Sequence, residues 1–294
     1  MCARADEKGN QLKVTVLGID GLSFDIVEEM DLKNIKQAEY GKLFIPDECC
    51  WELVKGGKSP WTPLCWMSIL TGDVPPEQYR INRHLMYDNR FIEFIRWNVG
   101  KYFKFIRGKR RFLREIGFKP SSEIKNISSN PLSRNLVTFF GLAEKKIDFN
   151  VPTYSEVFRL GPKIKTNNRL KLLPYSDKEF DLMKRYTRSV LRGRADYDLF
   201  MAYTRVLDSY GHQMYRTKVY YHRYELMDLF IRDIARDIEG LLLIVSDHGI
   251  RQLKGTKLGG EHSDHAFYST NMSLDISMNS ITDVYDLVKR TLET

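Results

Sequence analysis

The sequence has 294 residues, 43% hydrophobic and 29% charged, enough apolar surface for a sizeable core and too much for global disorder. Its formal net charge is +8, from 46 basic and 38 acidic side chains, which suits anionic partners such as phosphate esters, nucleic acid or acidic lipid heads without choosing among them. Cys2, Cys49, Cys50 and Cys65 show no CxxC spacing, so neither a disulfide framework nor a thiolate zinc site is expected.

Residues 1–11 are polar and are expected to be mobile; they lack the apolar stretch of a secretory leader. The longest aliphatic run, Leu241 to Val245, is far too short for a membrane span, and a reduced, cytoplasmic location is the default expectation. Val14 to Ile19 reads as a buried strand that Asp20-Gly21 ends, with a helix starting near Phe24. Thr62-Pro63 predicts a helix with Thr62 as its cap, running through Leu64, Met67, Ile69 and Leu70. The stretch 85–131 is aromatic and basic and reads as a cap-like helical insertion; SSEIKNISSN within it reads as a loop. A helix is expected over 177–192, a strand over 198–203, one long amphipathic helix over 213–239, a strand over 241–245 and a terminal helix over 281–292. Nearly continuous apolar strands suit a sheet covered on both faces. Strands alternating with helices give an α/β fold, a mostly parallel central sheet flanked by helices on both faces, in a single domain spanning 1–294.

Six good metal ligands recur in short packets: Asp20 in VLGIDG, Asp208 and His212 in LDSYGH, Asp247 and His248 in VSDHG, and His262 in GGEHSDH. Three carboxylates and three imidazoles can hold two divalent cations side by side. Asp208 and His212, four apart, share one face of a helical turn, and Gly211 suggests a loop-to-helix junction there. Asp247 and His248 follow a hydrophobic strand and converge only where it breaks, at Gly249. Burying both beside an apolar run is costly unless something pairs them. Each packet has a plainer reading too: a helix-cap Asp20, an idle Asp/His pair, a polar loop around His262, with His265 the competing histidine. Thr62 divides in the same way. It is a capping residue, or a hydroxyl beside a helix N-terminus that attracts anions, poised as a nucleophile once a metal lowers its pKa.

The basic insertion carries Lys101, Lys104, Arg107, Lys109, Arg110, Arg111 and Arg114, with apolar residues at helical spacing. A solvated cap surface is favoured over nucleic-acid binding, since no nucleic-acid module surrounds it.

In order and local sequence these packets resemble the alkaline phosphatase superfamily, and within it the type I phosphodiesterase/nucleotide pyrophosphatase family. The matching stretches are VTVLGIDGLSFD, SPWTPLCWMSILTGDVPPE, YTRVLDSYGHQMY, LLLIVSDHGI and GGEHSDHAFYS. The resemblance implies an alkaline phosphatase-like sheet and a two-metal centre, commonly zinc, with manganese or magnesium as alternatives. By that resemblance Asp20, Asp247 and His248 hold one metal together with the Thr62 oxygen, and Asp208, His212 and His262 hold the other. Thr62 would attack phosphorus to form a phosphothreonine that water hydrolyses. Gln78-Tyr79 stand where family members often carry His-Gly, and Asn82 lies about one position from the family's phosphoryl-binding asparagine. Asn82 and His265 are therefore candidate substrate contacts. Cys65-Trp66-Met67-Ser68-Ile69 does not fit the sulfatase Cys-x-Pro-x-Arg motif.

The implied activity is metal-dependent hydrolysis of a small anionic phosphate ester, a nucleotide among them, with a diester or pyrophosphate preferred. Phosphomonoester hydrolysis is the alternative within the superfamily. An alternative of another class is a basic protein that binds nucleic acid or an acidic membrane and carries a decayed metal site.

Overall fold

The computed structural model describes residues 12–52, 58–74, 136–155 and 169–294. The polar N-terminal stretch, the 85–131 insertion and Asn82 lie outside the described residues. The strands are β1 (Val14–Ile19), β2 (Glu39–Phe44), β3 (Cys50–Glu52), β4 (Lys58–Pro60), β5 (Lys146–Phe149), β6 (Leu199–Thr204), β7 (Leu241–Val245), β8 (Ile250–Gln252), β9 (Gly260–His262) and β10 (His265–Thr270). The helices are α1 (Phe24–Glu29), α2 (Lys33–Lys36), α3 (Thr62–Thr71), α4 (Leu173–Arg192), α5 (Val206–Met214), α6 (Lys218–Ile234) and α7 (Asp283–Glu293).

The central sheet has the order β2-β10-β7-β1-β6-β5. β1 lies between β6 and β7, parallel to both, with Val14 opposite Leu199 and Leu241. β5 runs parallel to β6, while β10 runs antiparallel to β7 and β2. Every residue of β1, β6 and β7 is buried, as their continuous apolar runs require. Alternation splits their side chains between two cores. Val14 and Val16 pack with Leu64, Trp66 and Leu70 of α3 and Val284 and Leu287 of α7. Leu17 and Ile19 pack with Ile26 of α1, Phe180 and Met183 of α4, and Tyr224 and Phe230 of α6. Each fully buried aliphatic chain of this kind contributes about 1.5–3 kcal/mol. The sheet is thus largely parallel, with helices on both faces.

The structure divides the long helix expected over 213–239. α5 ends at Met214, the Tyr215 N–H bonds to the Leu258 carbonyl, and Arg216 adopts φ 54°. Thr217 then caps α6 by accepting the Tyr220 N–H. A competent cap and a left-handed residue outweigh the unbroken amphipathic pattern. Gly211, expected at a helix junction, lies inside α5. A Cβ there would come within 2.7 Å of Ile250 Cγ1, so the glycine lets β8 lie against the helix. Among the described residues no helix is long and apolar enough to cross a membrane.

Parallel neighbours place their carboxyl ends together, where ligands of open α/β sheets bind. Asp20 follows β1, Asp247 follows β7, and Asp208 lies in the first turn of α5 just after β6.

Candidate metal centre

At the end of β1 the chain turns sharply, with Gly21 at φ 75°. A Cβ on Gly21 would lie 2.7 Å from the Asp208 backbone, and the Asp208 N–H donates to the Asp20 carbonyl at 3.0 Å. The turn after β1 and the start of α5 are thereby one packed unit. β8 and β9 pair Ile250 with His262, and this hairpin brings His262 across to α5.

The six predicted ligands fall into two groups. Asp20, Asp247 and His248 form one, and Asp208, His212 and His262 the other, with the ligand atoms of each within 4.8 Å of one another. The groups abut: the His248 and His262 rings stack with centroids 3.6 Å apart. His248 Nε2 lies 3.4 Å from Asp20 Oδ1, 3.3 Å from Asp247 Oδ2 and 3.1 Å from Thr62 Oγ1. His212 Nε2 lies 3.1 Å from Asp208 Oδ1 and 3.0 Å from His262 Nε2.

Each imidazole is oriented by a backbone carbonyl. Nδ1 of His212 meets the Gly260 oxygen at 2.9 Å, Nδ1 of His262 the Pro60 oxygen at 2.8 Å, and Nδ1 of His248 the Gly249 oxygen at 3.2 Å. A carbonyl only accepts, so Nδ1 carries a proton in each ring and Nε2 is the atom turned to the centre. Asp20 Oδ1, Asp208 Oδ1 and both Asp247 oxygens are buried with no hydrogen-bond partner. Carboxylate oxygens and imidazole lone pairs facing one another repel unless a proton or a cation lies among them. An all-oxygen-and-nitrogen set of this kind fits a hard or borderline divalent ion such as zinc or manganese.

The electrostatics carry the same strain. Burial, with Asp208 adding to it, pushes Asp20 up to about 7, although the Tyr203 hydroxyl works against the rise. Burial pushes Asp247 well above the usual carboxylate range, with Asp20 and Asp208 beside it. Burial alone would raise Asp208 too, but the His212 and His262 rings hold it well below. Burial, helped by the charge of His262, drives His248 well below the ordinary imidazole value. Burial opposes charging of His212, yet the adjacent Asp208 carboxylate prevails and raises it to about 9. In the metal-free protein a proton on His212 thus takes part of the role that a cation would fill.

Thr62 is not the helix cap. Trp61 is the N-cap of α3, no side-chain cap bond forms there, and Thr62 is the first helical residue. Its hydroxyl, relieved of capping, points at His248 instead. The helix end also offers fewer backbone donors than its position suggested. Pro63 has no N–H, and the N–H groups of Leu64 and Cys65 both bond to the Trp61 carbonyl. His265 does not join the six candidate ligands. Its Nδ1 lies 3.1 Å from Asp264 Oδ1 and its Nε2 3.8 Å from Asp25 Oδ2. Asp20 is likewise no cap, since Ser23 holds the N-cap position of α1.

Sequence reasoning missed the supporting groups. Tyr203 OH donates to Asp20 Oδ2 at 2.6 Å. Ser23 Oγ joins to the backbone of Ile250, Ser246 Oγ donates to the Leu22 carbonyl, and Ser263 Oγ accepts from the Gly249 N–H. Serines near the ligand packets in GLS, VSDHG and EHSDH are the available signal, but serine in a loop has too many ordinary uses to stand out.

Among solved structures, the chain is similar to murine ectonucleotide pyrophosphatase/phosphodiesterase 5, with 12% identity and a TM-score of 0.46 over 83% of this chain. It spans 58% of that protein's chain. It is also similar to an alkaline phosphatase from the Antarctic bacterium TAB5, with 9% identity and a TM-score of 0.44 over 96% of this chain and 97% of that one. No curated protein matches it. The pattern of the type I phosphodiesterase/nucleotide pyrophosphatase family matches residues 14–266, a span that runs from β1 to the start of β10 and includes all six candidate ligands and Thr62. The chain therefore belongs to the type I phosphodiesterase/nucleotide pyrophosphatase family.

Proposed function

We propose that this protein is a phosphoric ester hydrolase that works with two divalent metal ions and a threonine nucleophile. Asp20, Asp247 and His248 would hold one ion and Asp208, His212 and His262 the other, with zinc the favoured metal and manganese or magnesium the alternatives. The observation that carries the reading is the convergence of His212 Nε2, His262 Nε2 and Asp208 Oδ1 within 3.5 Å of one another while both rings have their Nδ1 turned to backbone carbonyls. The buried carboxylate oxygens without partners in the neighbouring group support it equally.

Bound there, the ions would lower the pKa of the Thr62 hydroxyl and offset the negative charge of the phosphoryl group. The protein's own residues do the rest. His248 and the first turn of α3 hold Thr62 Oγ1 at the junction of its ligand group. Its oxygen forms a bond to phosphorus as the bond to the leaving oxygen breaks, and the hydroxyl proton is lost to solvent. Water then attacks the phosphothreonine, releases phosphate or a phosphomonoester and restores the hydroxyl. A diester or nucleotide pyrophosphate is the substrate class that family membership favours.

The test is a brief incubation of metal-loaded protein with an aryl phosphodiester, acid quench and peptide mass spectrometry. A phosphoryl group on the peptide containing Thr62 is the expected result. Turnover with no label on that peptide in rapid-quench samples would replace Thr62 with water as the attacking group.

A further inference from the structure

Asp20 has two oxygens with opposite surroundings. Oδ2 accepts a 2.6 Å bond from Tyr203 OH, whereas Oδ1 has no hydrogen-bond partner and lies 3.4 Å from His248 Nε2. The Tyr203 ring cannot swing. It stands in β6, 3% exposed, and meets the Trp66 ring edge-on with centroids 5.3 Å apart. Trp66 is itself fully buried, and its ring occupies the space that a side chain on Gly18 would need, 2.7 Å from that Cβ position. Trp66 belongs to α3, the helix whose first residue is Thr62. One chain of contacts therefore runs from Thr62's helix through Trp66 and Tyr203 to Asp20.

We propose that Tyr203 is a positioning residue for the metal-binding group on the Thr62 side: its hydroxyl fixes the Asp20 carboxylate so that Oδ1 alone faces the ligand position, in register with the helix that carries the nucleophile. This rests on the two-metal reading above. A carboxylate without such a donor rotates or turns both oxygens inward, and loss of an outer partner of a ligand weakens metal binding by about 10–100-fold. Asp208, in the other group, makes no use of Tyr203, since its Oδ1 faces His212 and His262. The effect is therefore confined to one ion.

Tyr203→Phe removes only the hydroxyl and keeps the ring on Trp66. Tyr197→Phe is the control, because it removes another buried phenol, one that pairs with Thr15 rather than with a ligand. Metal-stripped wild type and both variants are titrated with Zn²⁺ against a chromophoric chelator, and with Co²⁺ followed by its visible absorption. Thermal melting of the metal-free proteins reports folding. The expected result is two equivalents in wild type and in Tyr197→Phe. In Tyr203→Phe one equivalent weakens by about 10–100-fold with an altered Co²⁺ spectrum, while the other is unchanged. Two equivalents bound to Tyr203→Phe as tightly as to wild type would overturn the positioning role and leave the two-metal reading intact. Equal weakening of both equivalents with a lowered melting temperature would make the role merely structural and would also overturn it. Absence of metal binding by wild type itself would overturn the two-metal reading, and this inference with it.

Discussion

His212 and His262 approach each other Nε2 to Nε2 at 3.0 Å, although their Nδ1 atoms are turned to the carbonyls of Gly260 and Pro60. With both Nδ1 atoms so engaged, the two Nε2 atoms share one space, which a proton on His212 occupies in the metal-free protein and a shared cation would occupy in the loaded one. Wild-type protein is expected to bind two equivalents of Zn²⁺ or Mn²⁺. His262→Ala should retain one, because Asp20, Asp247 and His248 remain complete. Elemental analysis after gel filtration checks this; two equivalents retained by His262→Ala would remove the histidine from the ligand set.

Thr62→Ala should lower turnover by several orders of magnitude, since no other hydroxyl is bonded to His248 among the described residues. Because Trp61 and not Thr62 is the helix cap, the stability cost should stay within about 0.5 kcal/mol. Thr62→Ser should recover part of the rate. Urea melts beside kcat measurements separate the two effects, and near-normal turnover by Thr62→Ala would refute the nucleophile role.

Gly21→Ala should split the two halves of the centre. Gly21 has φ 75°, and its missing Cβ would sit 2.7 Å from Asp208 backbone atoms, so neither conformation nor space accommodates a methyl group. A loss of about 2–4 kcal/mol in stability is expected. It should come with weakened binding of both metals, because Asp208 and Asp20 move together. A variant with wild-type unfolding and two tight equivalents would contradict this.

The metal-free protein should lose stability as pH rises from about 6.5 to 9. Asp20, pushed up to about 7, and His212, raised to about 9, both hold protons in the folded state that the unfolded chain has released across that range. Folded molecules then bind more protons than unfolded ones, so the slope of stability against pH is negative. His248, held well below its ordinary value, contributes the opposite slope only at lower pH, while the unfolded imidazole still titrates. Metal displaces these protons, so the loaded protein should show a flatter profile. Melting temperatures from pH 6.5 to 9, with and without Zn²⁺, test the sign.

Much of this was legible in the amino-acid order. β1, β6 and β7 announce themselves because strands buried on both faces must be apolar throughout, and the candidate ligands follow at strand ends where the topology gathers them. β2 was not legible: its residues are mostly half-exposed at the sheet edge, so EYGKLF carries no continuous apolar run. The break between α5 and α6 was hidden because both helices keep apolar faces, and the stop depends on Tyr215 bonding to the distant Leu258 carbonyl. The orientation of the histidines was beyond reach for a different reason. Gly260 and Pro60 act through carbonyls, which every residue possesses, so no side-chain type marks them.

The place of β1 in the sheet also bears on synthesis. Both of its edges are filled by strands that arrive much later, β6 from Leu199 and β7 from Leu241. On the ribosome, VTVLGI is an apolar segment with two unsatisfied edges until those strands have been made, the kind of stretch that chaperones shield and that pairs with strangers when they do not. The same order delays assembly of the candidate centre: Asp20 and Thr62 wait for Asp247, His248 and His262, so its side chains converge only after the last of these has been made.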